Sequence, residues 1–202
     1  MLHLITFTKY MTAENVIVAE IFVTADTHFY HSGILKHGRG EFFESEEAMT
    51  AALVQNWVAN VPKNAIVYHL GDFSFGTKSQ TIEVVKELTG EIHLVRGNHD
   101  PKKEWFESLF ASVRDYRELR IEGQKIVMSH YPFLTWNGAH RGAWMWHGHS
   151  HHGLTPTTQP RLDVGVDGPG YGFAPLSFDE VAEIMRDRVY TPVDHHAPKE
   201  AG

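Results

Sequence analysis

The sequence predicts an α/β domain, and three observations support this fold class. Five short apolar runs are typical of buried β-strands, and they lie at residues 21–23, 66–68, 92–95, 126–128 and 143–146. Segments with a helical spacing of apolar residues alternate with these runs along the chain. Each run leads into polar residues that commonly bind metal ions, and strand ends are where ligands gather in open sheets.

Caps and periodicity predict the helices. Apolar residues four apart predict one helix over residues 46–60. Two capping boxes, in which Thr or Ser is followed three residues later by Gln or Glu, predict two more. They are Thr77 with Gln80, opening a helix through residue 88 with Ile82, Val85 and Leu88 inward, and Ser177 with Glu180, opening a helix to about residue 188. Asp100, followed by Pro101, predicts the N-cap of a fourth helix.

The predicted elements define the domain organisation. They favour one domain over residues 21–190 of the 202-residue chain. Residues 1–20 would form an N-terminal extension. They are either an added strand or residues that a misassigned start has placed before the protein. Residues 191–202 are polar and contain two prolines, which is typical of a flexible tail.

Composition limits the possible partners and ligands. A formal net charge of −7 argues against a general polyanion-binding surface, so we expect no long nucleic acid as a partner. The chain has no cysteine, which excludes disulfides and thiolate ligands. No apolar run reaches membrane-spanning length and no signal peptide is evident, which predicts a cytoplasmic protein without a membrane partner.

Five motifs at the ends of the predicted strands contain metal-binding residue types. They are Asp26-Thr27-His28, Gly71-Asp72, Gly97-Asn98-His99-Asp100, His130 and Gly148-His149-Ser150-His151. Each motif alone has a simple alternative, such as a turn or a surface histidine. Their common order and their strand-end positions instead favour one pocket that is lined by carboxylate, imidazole and amide groups. Such a pocket suits two divalent cations.

The chemistry of each side chain suggests its role. A carboxylate between two cations offsets their repulsion, and Asp72 is the candidate for this bridge. Asp26 and His28 are two residues apart in an extended segment, so they point the same way and can bind one ion together. His149 and His151 also share a face, and either of them could bind either ion.

Rival roles for the histidines fit the sequence less well. A metallo-β-lactamase needs His-x-His-x-Asp-His, but His149 is followed by Ser150 and then by two more histidines. A zincin needs two histidines four apart around a glutamate on a helix, and no such pair occurs. A surface metal-scavenging tract made of His147, His149, His151 and His152 is a further alternative. The tryptophans Trp136, Trp144 and Trp146 are more typical of core packing than of a substrate platform.

Together the five motifs resemble the full signature of the calcineurin-like metallophosphoesterases, over about residues 21–170. Residues 68–72 and 162–167 further resemble the small single-domain bacterial and phage members. The resemblance implies a four-layer α-β-β-α sandwich with two mixed β-sheets, the metallo-dependent phosphatase-like fold. It also implies the metal ligands. They are Asp26, His28 and His151 on the first metal, Asn98, His130 and His149 on the second, and Asp72 as the bridge.

The predicted activity is that of a binuclear metal-dependent phosphoester hydrolase. Two divalent cations, of which Mn²⁺ is favoured and Fe, Zn, Co or Ni would also fit, lower the pKa of a water between them, and the hydroxide attacks phosphorus. His99, held by Asp100 or by a nearby carbonyl, would donate a proton to the leaving oxygen. Arg96 or Arg141 would contact the phosphate, because guanidinium matches its geometry.

The predicted substrate is a small phosphoester, with phosphodiesters or nucleotides preferred over phosphoproteins. The motifs occupy residues 26–151, which leaves little of the chain for a lid or a substrate-binding domain. Two alternatives stay open, a phosphomonoesterase or protein phosphatase, and a non-catalytic protein-binding scaffold of the same fold. The sequence predicts no oligomeric state.

Overall fold

The computed structural model describes residues 19–155 and 157–193, in which strands and helices alternate. The strands are β1 (Ile21–Thr24), β2 (Ile66–His69), β3 (Glu91–Val95), β4 (Ser112–Arg114), β5 (Arg117–Ile121), β6 (Gln124–Met128), β7 (Trp144–His147), β8 (Arg161–Asp163) and β9 (Leu176–Ser177). The helices are α1 (Ser32–Leu35), α2 (Glu46–Asn60), α3 (Lys78–Glu87), α4 (Glu104–Glu107) and α5 (Phe178–Met185). Two 3-10 turns span Arg39–Glu41 and Ala139–Arg141.

The strands form two mixed sheets. The first has the order β4-β3-β2-β1-β9, in which only the β1–β9 pair is antiparallel. The second has the order β5-β6-β7-β8, in which only the β5–β6 pair is antiparallel. The predicted class, an α/β fold with two mixed sheets and helices, is therefore confirmed.

Alternating side chains along the strands create separate cores on the two faces of each sheet. Between the sheets, Val23 and Tyr68 of the first sheet pack with Met128 and Trp146 of the second. The outer face of the first sheet packs against the apolar sides of α2, α3 and α4. The outer face of the second sheet is covered by the loop that carries Trp136 and the second 3-10 turn.

The capping signals locate the helices well, whereas the buried face of α3 differs from the prediction. Both capping boxes form, and α2 spans the predicted residues. The buried side chains of α3 are Thr81 and Val84, while Ile82 and Val85 are only partly buried. Thr81 is polar, but its hydroxyl bonds the Ser74 hydroxyl at 3.0 Å, which satisfies it in the interior. A search for apolar residues alone therefore misplaces this face.

The predicted helix start at Asp100 is wrong, and the predicted end of α5 is three residues too late. The helix after Asp100 begins only at Glu104, with Lys103 at its N-cap. The Asp100 carboxylate accepts hydrogen bonds from backbone N–H groups of two loops, so it is not available to cap a helix. α5 ends at Met185, and Arg186 is its C-cap.

The chain termini lie largely outside the described residues. Of the predicted N-terminal extension only residues 19 and 20 are described, and they precede β1 without regular structure. Of the predicted tail, residues 191–193 are described as irregular, and residues 194–202 fall outside. No helix in the described part of the chain is long and apolar enough to cross a membrane.

Candidate metal centre

Parallel pairing brings the loops with the predicted ligands together. β1 and β2 run parallel in the first sheet, and β6 and β7 run parallel in the second, so the loops after each pair start at one edge. The loops are then joined by backbone bonds, such as Asp26 N to Gly71 O at 2.9 Å. The two sheets are linked across this edge because His149 N donates to Asp26 Oδ2 at 2.9 Å.

A first cluster consists of Asp26, His28 and His151. Each offers a ligand atom, and these atoms lie within 4.8 Å of one another. Asp26 and His28 are buried, and His151 is half-buried. The His28 Nε2 atom is buried without a hydrogen-bond partner. A buried polar atom of this kind is costly unless something satisfies it, and a cation would do so here.

A second cluster consists of Asp72, His130 and His149, whose ligand atoms also lie within 4.8 Å of one another. Asn98, which the resemblance assigns to the same metal, lies beside them, with its Oδ1 3.0 Å from His130 Nε2. Asp72 and His130 are buried, but His149 and Asn98 are exposed. The structure thus brings together all seven predicted ligands.

One carboxylate oxygen lies between the two clusters. Asp72 Oδ2 is 3.7 Å from His28 Nε2 and 3.5 Å from His130 Nε2. The second oxygen, Oδ1, accepts a hydrogen bond from His99 N at 2.9 Å, which fixes the orientation of the carboxylate. Asp72 therefore has the position that a bridging ligand needs.

Hydrogen bonds orient the ligand imidazoles. His151 Nδ1 lies 2.7 Å from Asp167 Oδ2, and His130 Nδ1 lies 2.7 Å from the carbonyl oxygen of Leu70. Both partners are acceptors, so each Nδ1 donates a hydrogen bond, and Nε2 is the ring atom that each imidazole would offer to a cation.

Arg39 is a buried residue that the sequence-based predictions missed. Its Nε donates to Asp167 Oδ1 at 2.7 Å, and its Nη1 donates to Thr27 O at 2.8 Å. Its Nη2 donates to Asp26 O and to Asp167 Oδ2. Arg39 therefore connects the Asp26–His28 loop to the carboxylate that orients His151. Asp167 lies in the 162–167 segment noted for its resemblance, which was a usable signal, whereas Arg39 had none.

The electrostatics of the first cluster suit a cation. Burial raises the pKa of Asp26, and the nearby carboxylates of Asp163 and Asp72 raise it further. Burial and the neighbouring His151 and Arg39 lower the pKa of His28 to about 2, so this imidazole is neutral, which is its ligand form. A cation would relieve the repulsion between the carboxylates.

The backbone at the ligands is strained. Five of the seven predicted ligands have positive φ, with values of 55° at Asp26, 48° at His28, 56° at Asp72, 68° at His149 and 44° at His151. Residues other than glycine seldom adopt this conformation, and such strain collects at functional sites.

Two glycines allow close packing around the ligands. A Cβ at residue 97 would lie 2.2 Å from Asp72 Oδ1, and a Cβ at residue 148 would lie 2.6 Å from Asp26 Oδ2. A side chain at Gly97 or Gly148 would therefore displace a carboxylate of the centre.

His99 lies beside the clusters, but Asp100 does not hold it as predicted. The His99 side chain is 47% exposed, and its Nε2 is 4.0 Å from Asp72 Oδ2. The Asp100 carboxylate instead accepts from the N–H groups of Asp72, Phe73 and Gly97 at 2.8–3.0 Å. Asp100 thus joins the loops after β2 and β3, and it is a positioning residue for the centre.

The two predicted substrate-binding arginines lie elsewhere. Arg96 donates to Glu107 Oε1 at 2.8 Å and to Asp115 Oδ1 at 3.3 Å, so its guanidinium is directed to α4 and to the end of β4. Arg141 precedes β7 and lines a cavity of about 250 Å³ with Lys125, at the opposite edge of the sheet. The structure gives neither residue a position for binding phosphate between the clusters.

The histidines of residues 147–152 do not form a surface tract. His147 is buried, and its Nδ1 lies 2.8 Å from the carbonyl oxygen of Gly148. His152 is half-buried, with Nε2 3.1 Å from the carbonyl oxygen of Gly165. Only His149 and His151 of this segment join the clusters.

Three aromatic side chains that the sequence-based predictions did not select border the clusters. Phe75 and His31 stack with parallel rings, 3.7 Å apart at their centroids, and the His28 ring is 5.3 Å from Phe75. Tyr131 packs edge-on against His149, with 4.6 Å between ring centroids. Phe75 and Tyr131 follow Asp72 and His130 closely in sequence, which is the signal that could have identified them.

The fold and the centre define a class, namely proteins with two mixed sheets whose loops hold metal ligands at a shared edge. The domain described as "Calcineurin-like phosphoesterase superfamily domain" matches residues 20–162. The chain therefore belongs to the calcineurin-like phosphoesterase superfamily, as its motifs indicate.

Several proteins are similar to this chain. An uncharacterized protein of Methanocaldococcus jannaschii is 31% identical over 172 residues, which cover 82% of this chain and 91% of that protein. A crystal structure of a protein of unknown function from Aquifex aeolicus has a TM-score of 0.64 and 24% identity, and the match covers 83% of this chain and 100% of that one. Yfce, a phosphoesterase from E. coli, has a TM-score of 0.38 and 18% identity over 73% of this chain and 78% of that one.

Proposed function

We propose that this protein hydrolyses phosphoesters with the help of two divalent cations, and that it prefers phosphodiesters or nucleotides. Membership of the superfamily supports phosphoester chemistry. The observation that carries the two-cation proposal is the position of Asp72, whose Oδ2 lies 3.7 Å from His28 Nε2 and 3.5 Å from His130 Nε2. A single carboxylate oxygen that faces both clusters can offset the repulsion between two cations.

The donor set decides which ions fit. The ligands are imidazole nitrogens and carboxylate or amide oxygens, which suit Mn²⁺ as well as Fe, Zn, Co and Ni. Asp26, His28 and His151 would hold one ion, Asn98, His130 and His149 the other, and Asp72 both. When bound, such ions neutralise phosphate oxygens and lower the pKa of water.

The residues of the chain position the reaction and move a proton. During hydrolysis the oxygen of water bonds to phosphorus, the ester P–O bond breaks, and the leaving oxygen must gain a proton. His99 has a suitable place for this step, because it is exposed and its Nε2 is 4.0 Å from the bridging carboxylate. A protonated His99 would donate that proton as a general acid.

The surroundings of the clusters favour a diester. Arg96 and Arg141 are directed elsewhere, and Arg39 is buried against Asp167. These arginines therefore add no free guanidinium between the clusters. A diester carries one negative charge at the reacting phosphate, which two cations nearly offset, whereas a monoester dianion would gain more from further cations.

Metal removal and a pair of substrates test the proposal. Activity on bis-p-nitrophenyl phosphate should vanish with a chelator and return with Mn²⁺, and it should exceed activity on p-nitrophenyl phosphate. Arg96→Ala and Arg141→Ala are controls, in which the ratio of the two activities should stay at the wild-type value. A clear monoester preference that Arg141→Ala abolishes would contradict the diester proposal. A fully metal-loaded protein that cleaves no ester would instead favour the scaffold alternative.

A further inference from the structure

Two exposed aromatic side chains lie beside the predicted metal ligands. Among the large hydrophobic side chains that are exposed in the described part of the chain, four are aromatic, and they are Phe42, Phe75, Tyr116 and Tyr131. Two of these four contact the imidazole rings of predicted ligands. Exposed apolar surface beside a cluster of polar side chains is a common mark of a ligand-binding site.

Phe75 lies beside the first cluster. Its side chain is 39% exposed, and its ring centroid is 5.3 Å from that of His28 and 4.8 Å from that of His99. His31 stacks on the Phe75 ring with an angle of 7° between the planes and so fixes its orientation. A ring that is already fixed loses little entropy when a ligand packs against it.

Tyr131 lies beside the second cluster. It directly follows His130, and its side chain is 46% exposed. Its ring centroid is 4.6 Å from that of His149 and 5.1 Å from that of His130, both in edge-on geometry. Each cluster therefore has one exposed aromatic ring in contact with its ligand histidines.

We propose that Phe75 and Tyr131 are stacking surfaces for the two bases of a substrate in which a phosphodiester joins two nucleosides. This inference rests on the proposed phosphodiester hydrolysis. With the phosphate between the clusters, one base would lie toward each exposed ring. Base–aromatic stacking tolerates any base, so the preference concerns the presence of a base and not its identity.

The position of His99 assigns the two sides. Phe75 is the ring next to His99, the proposed proton donor to the leaving oxygen. The nucleoside that departs with a free hydroxyl would therefore stack on Phe75. The nucleoside that keeps the phosphate would stack on Tyr131, so the products are a nucleoside and a nucleoside monophosphate.

The charge of the chain limits the length of the substrate. A long strand needs a row of cationic contacts to its phosphates, and a net charge of −7 argues against such a row. Two stacking surfaces and one reacting phosphate match a dinucleotide or the end of a short oligonucleotide.

The test compares four diesters with the metal-loaded protein. They are a dinucleoside monophosphate, the two analogues that lack the base on one side, and the analogue that lacks both. In the wild type, loss of either base should lower kcat/KM by roughly 5- to 150-fold, which is the range that stacking on one aromatic ring supplies. The ratio of kcat/KM with and without a given base is the quantity to follow.

The variants should separate the two sides. Phe75→Leu should bring the ratio for the leaving-side base close to one, and Tyr131→Leu should do the same for the base on the phosphate side. Phe42→Leu is the matched control, because Phe42 is 67% exposed and packs on Phe43 and Phe173. Both ratios should keep their wild-type values in this control.

Failure of the inference can be told apart from failure of the proposed function. Wild-type cleavage that is equally efficient with and without bases would overturn the stacking proposal and leave diester hydrolysis standing. If no diester is cleaved, the proposed function fails, and binding of a non-hydrolysable methylene phosphonate analogue still tests the stacking. Equal affinity of wild type, Phe75→Leu and Tyr131→Leu for that analogue would overturn the stacking proposal. Weaker binding by Phe75→Leu and Tyr131→Leu, with wild-type binding by Phe42→Leu, would support it.

Discussion

The two clusters of candidate metal ligands both face the Asp72 carboxylate but differ in how their side chains are held. In the first cluster, Asp26 and His28 are buried, and His151 is fixed by Asp167, which is in turn bound by the buried Arg39. In the second cluster, His149 and Asn98 are exposed, and the structure fixes His130 through a backbone carbonyl. His151 of the first cluster is thus oriented by a carboxylate that pairs with an arginine, whereas His130 of the second is oriented by a neutral carbonyl.

This difference indicates separate tasks for the two clusters. Side chains whose geometry is fixed by surrounding hydrogen bonds bind a cation with little reorganisation. Exposed ligands leave space for water and substrate. We therefore expect the first cluster to retain its ion firmly and the second to exchange its ion more readily.

The largest effect is expected from the residue that the clusters share. Asp72→Asn should reduce the metal content at both clusters and lower activity by roughly 10³-fold or more, because the amide replaces the charge between two cations. If the amide oxygen keeps the bond from His99 N, its NH₂ group faces the clusters and repels cations. Metal analysis and turnover of a diester measure both effects.

An exposed aspartate controls for this substitution. Asp115 pairs with Arg96 at 3.3 Å outside the clusters, so Asp115→Asn removes a negative charge without touching a predicted ligand. It should leave the metal content and turnover as in the wild type. A full metal complement in Asp72→Asn would contradict the bridging role and with it the link between the clusters.

The next effect separates proton transfer from metal binding. His99→Asn should keep the metal content of both clusters but slow the cleavage of esters with alkoxide leaving groups by roughly 10²–10⁴-fold. Nitrophenyl esters should be slowed far less, because nitrophenolate departs without a proton. An equal loss for both leaving groups, or a loss of metal, would contradict the role of His99 as proton donor.

A smaller effect should distinguish the two clusters directly. Asp167→Asn removes the charge that orients His151, so the first ion should bind about 10- to 100-fold more weakly while the second is unaffected. Titration with Co²⁺, followed by its absorption spectrum, resolves the two binding steps. Glu107→Gln, which also removes the carboxylate partner of an arginine, is the control outside the clusters. Equal weakening of both steps would remove the distinction.

The grouping of the ligands could be predicted from sequence because each ligand lies in a short motif at a strand end. Parallel strands bring such ends together, so local patterns are enough to place Asp26, His28 and Asp72 near one another. The link between Arg39 and Asp167 joins residues 128 positions apart, and no local spacing reveals it.

The positions of Arg141 and of the Asp100 carboxylate also depend on contacts between distant parts of the chain. Arg141 is close in sequence to His149, but it precedes β7, and a strand of four residues spans roughly 13 Å, so it lies at the opposite edge. Asp100 has the sequence features of a helix cap, yet a carboxylate can equally accept from loop amides. Which amides it bonds depends on how the loops after β2 and β3 pack, and this is a property of the tertiary structure.

The smallest effect expected is the order in which the ions leave. Graded addition of a chelator to the Mn²⁺-loaded protein should release one ion first, at roughly a tenfold lower chelator concentration than the second ion needs. Two variants identify the remaining ion, because His149→Asn weakens the second cluster and His28→Asn weakens the first. The electron paramagnetic resonance spectrum of the half-loaded wild type should match that of half-loaded His149→Asn. A match to His28→Asn would show that the exposed cluster holds its ion more firmly, and the contrast between the clusters would then be reversed.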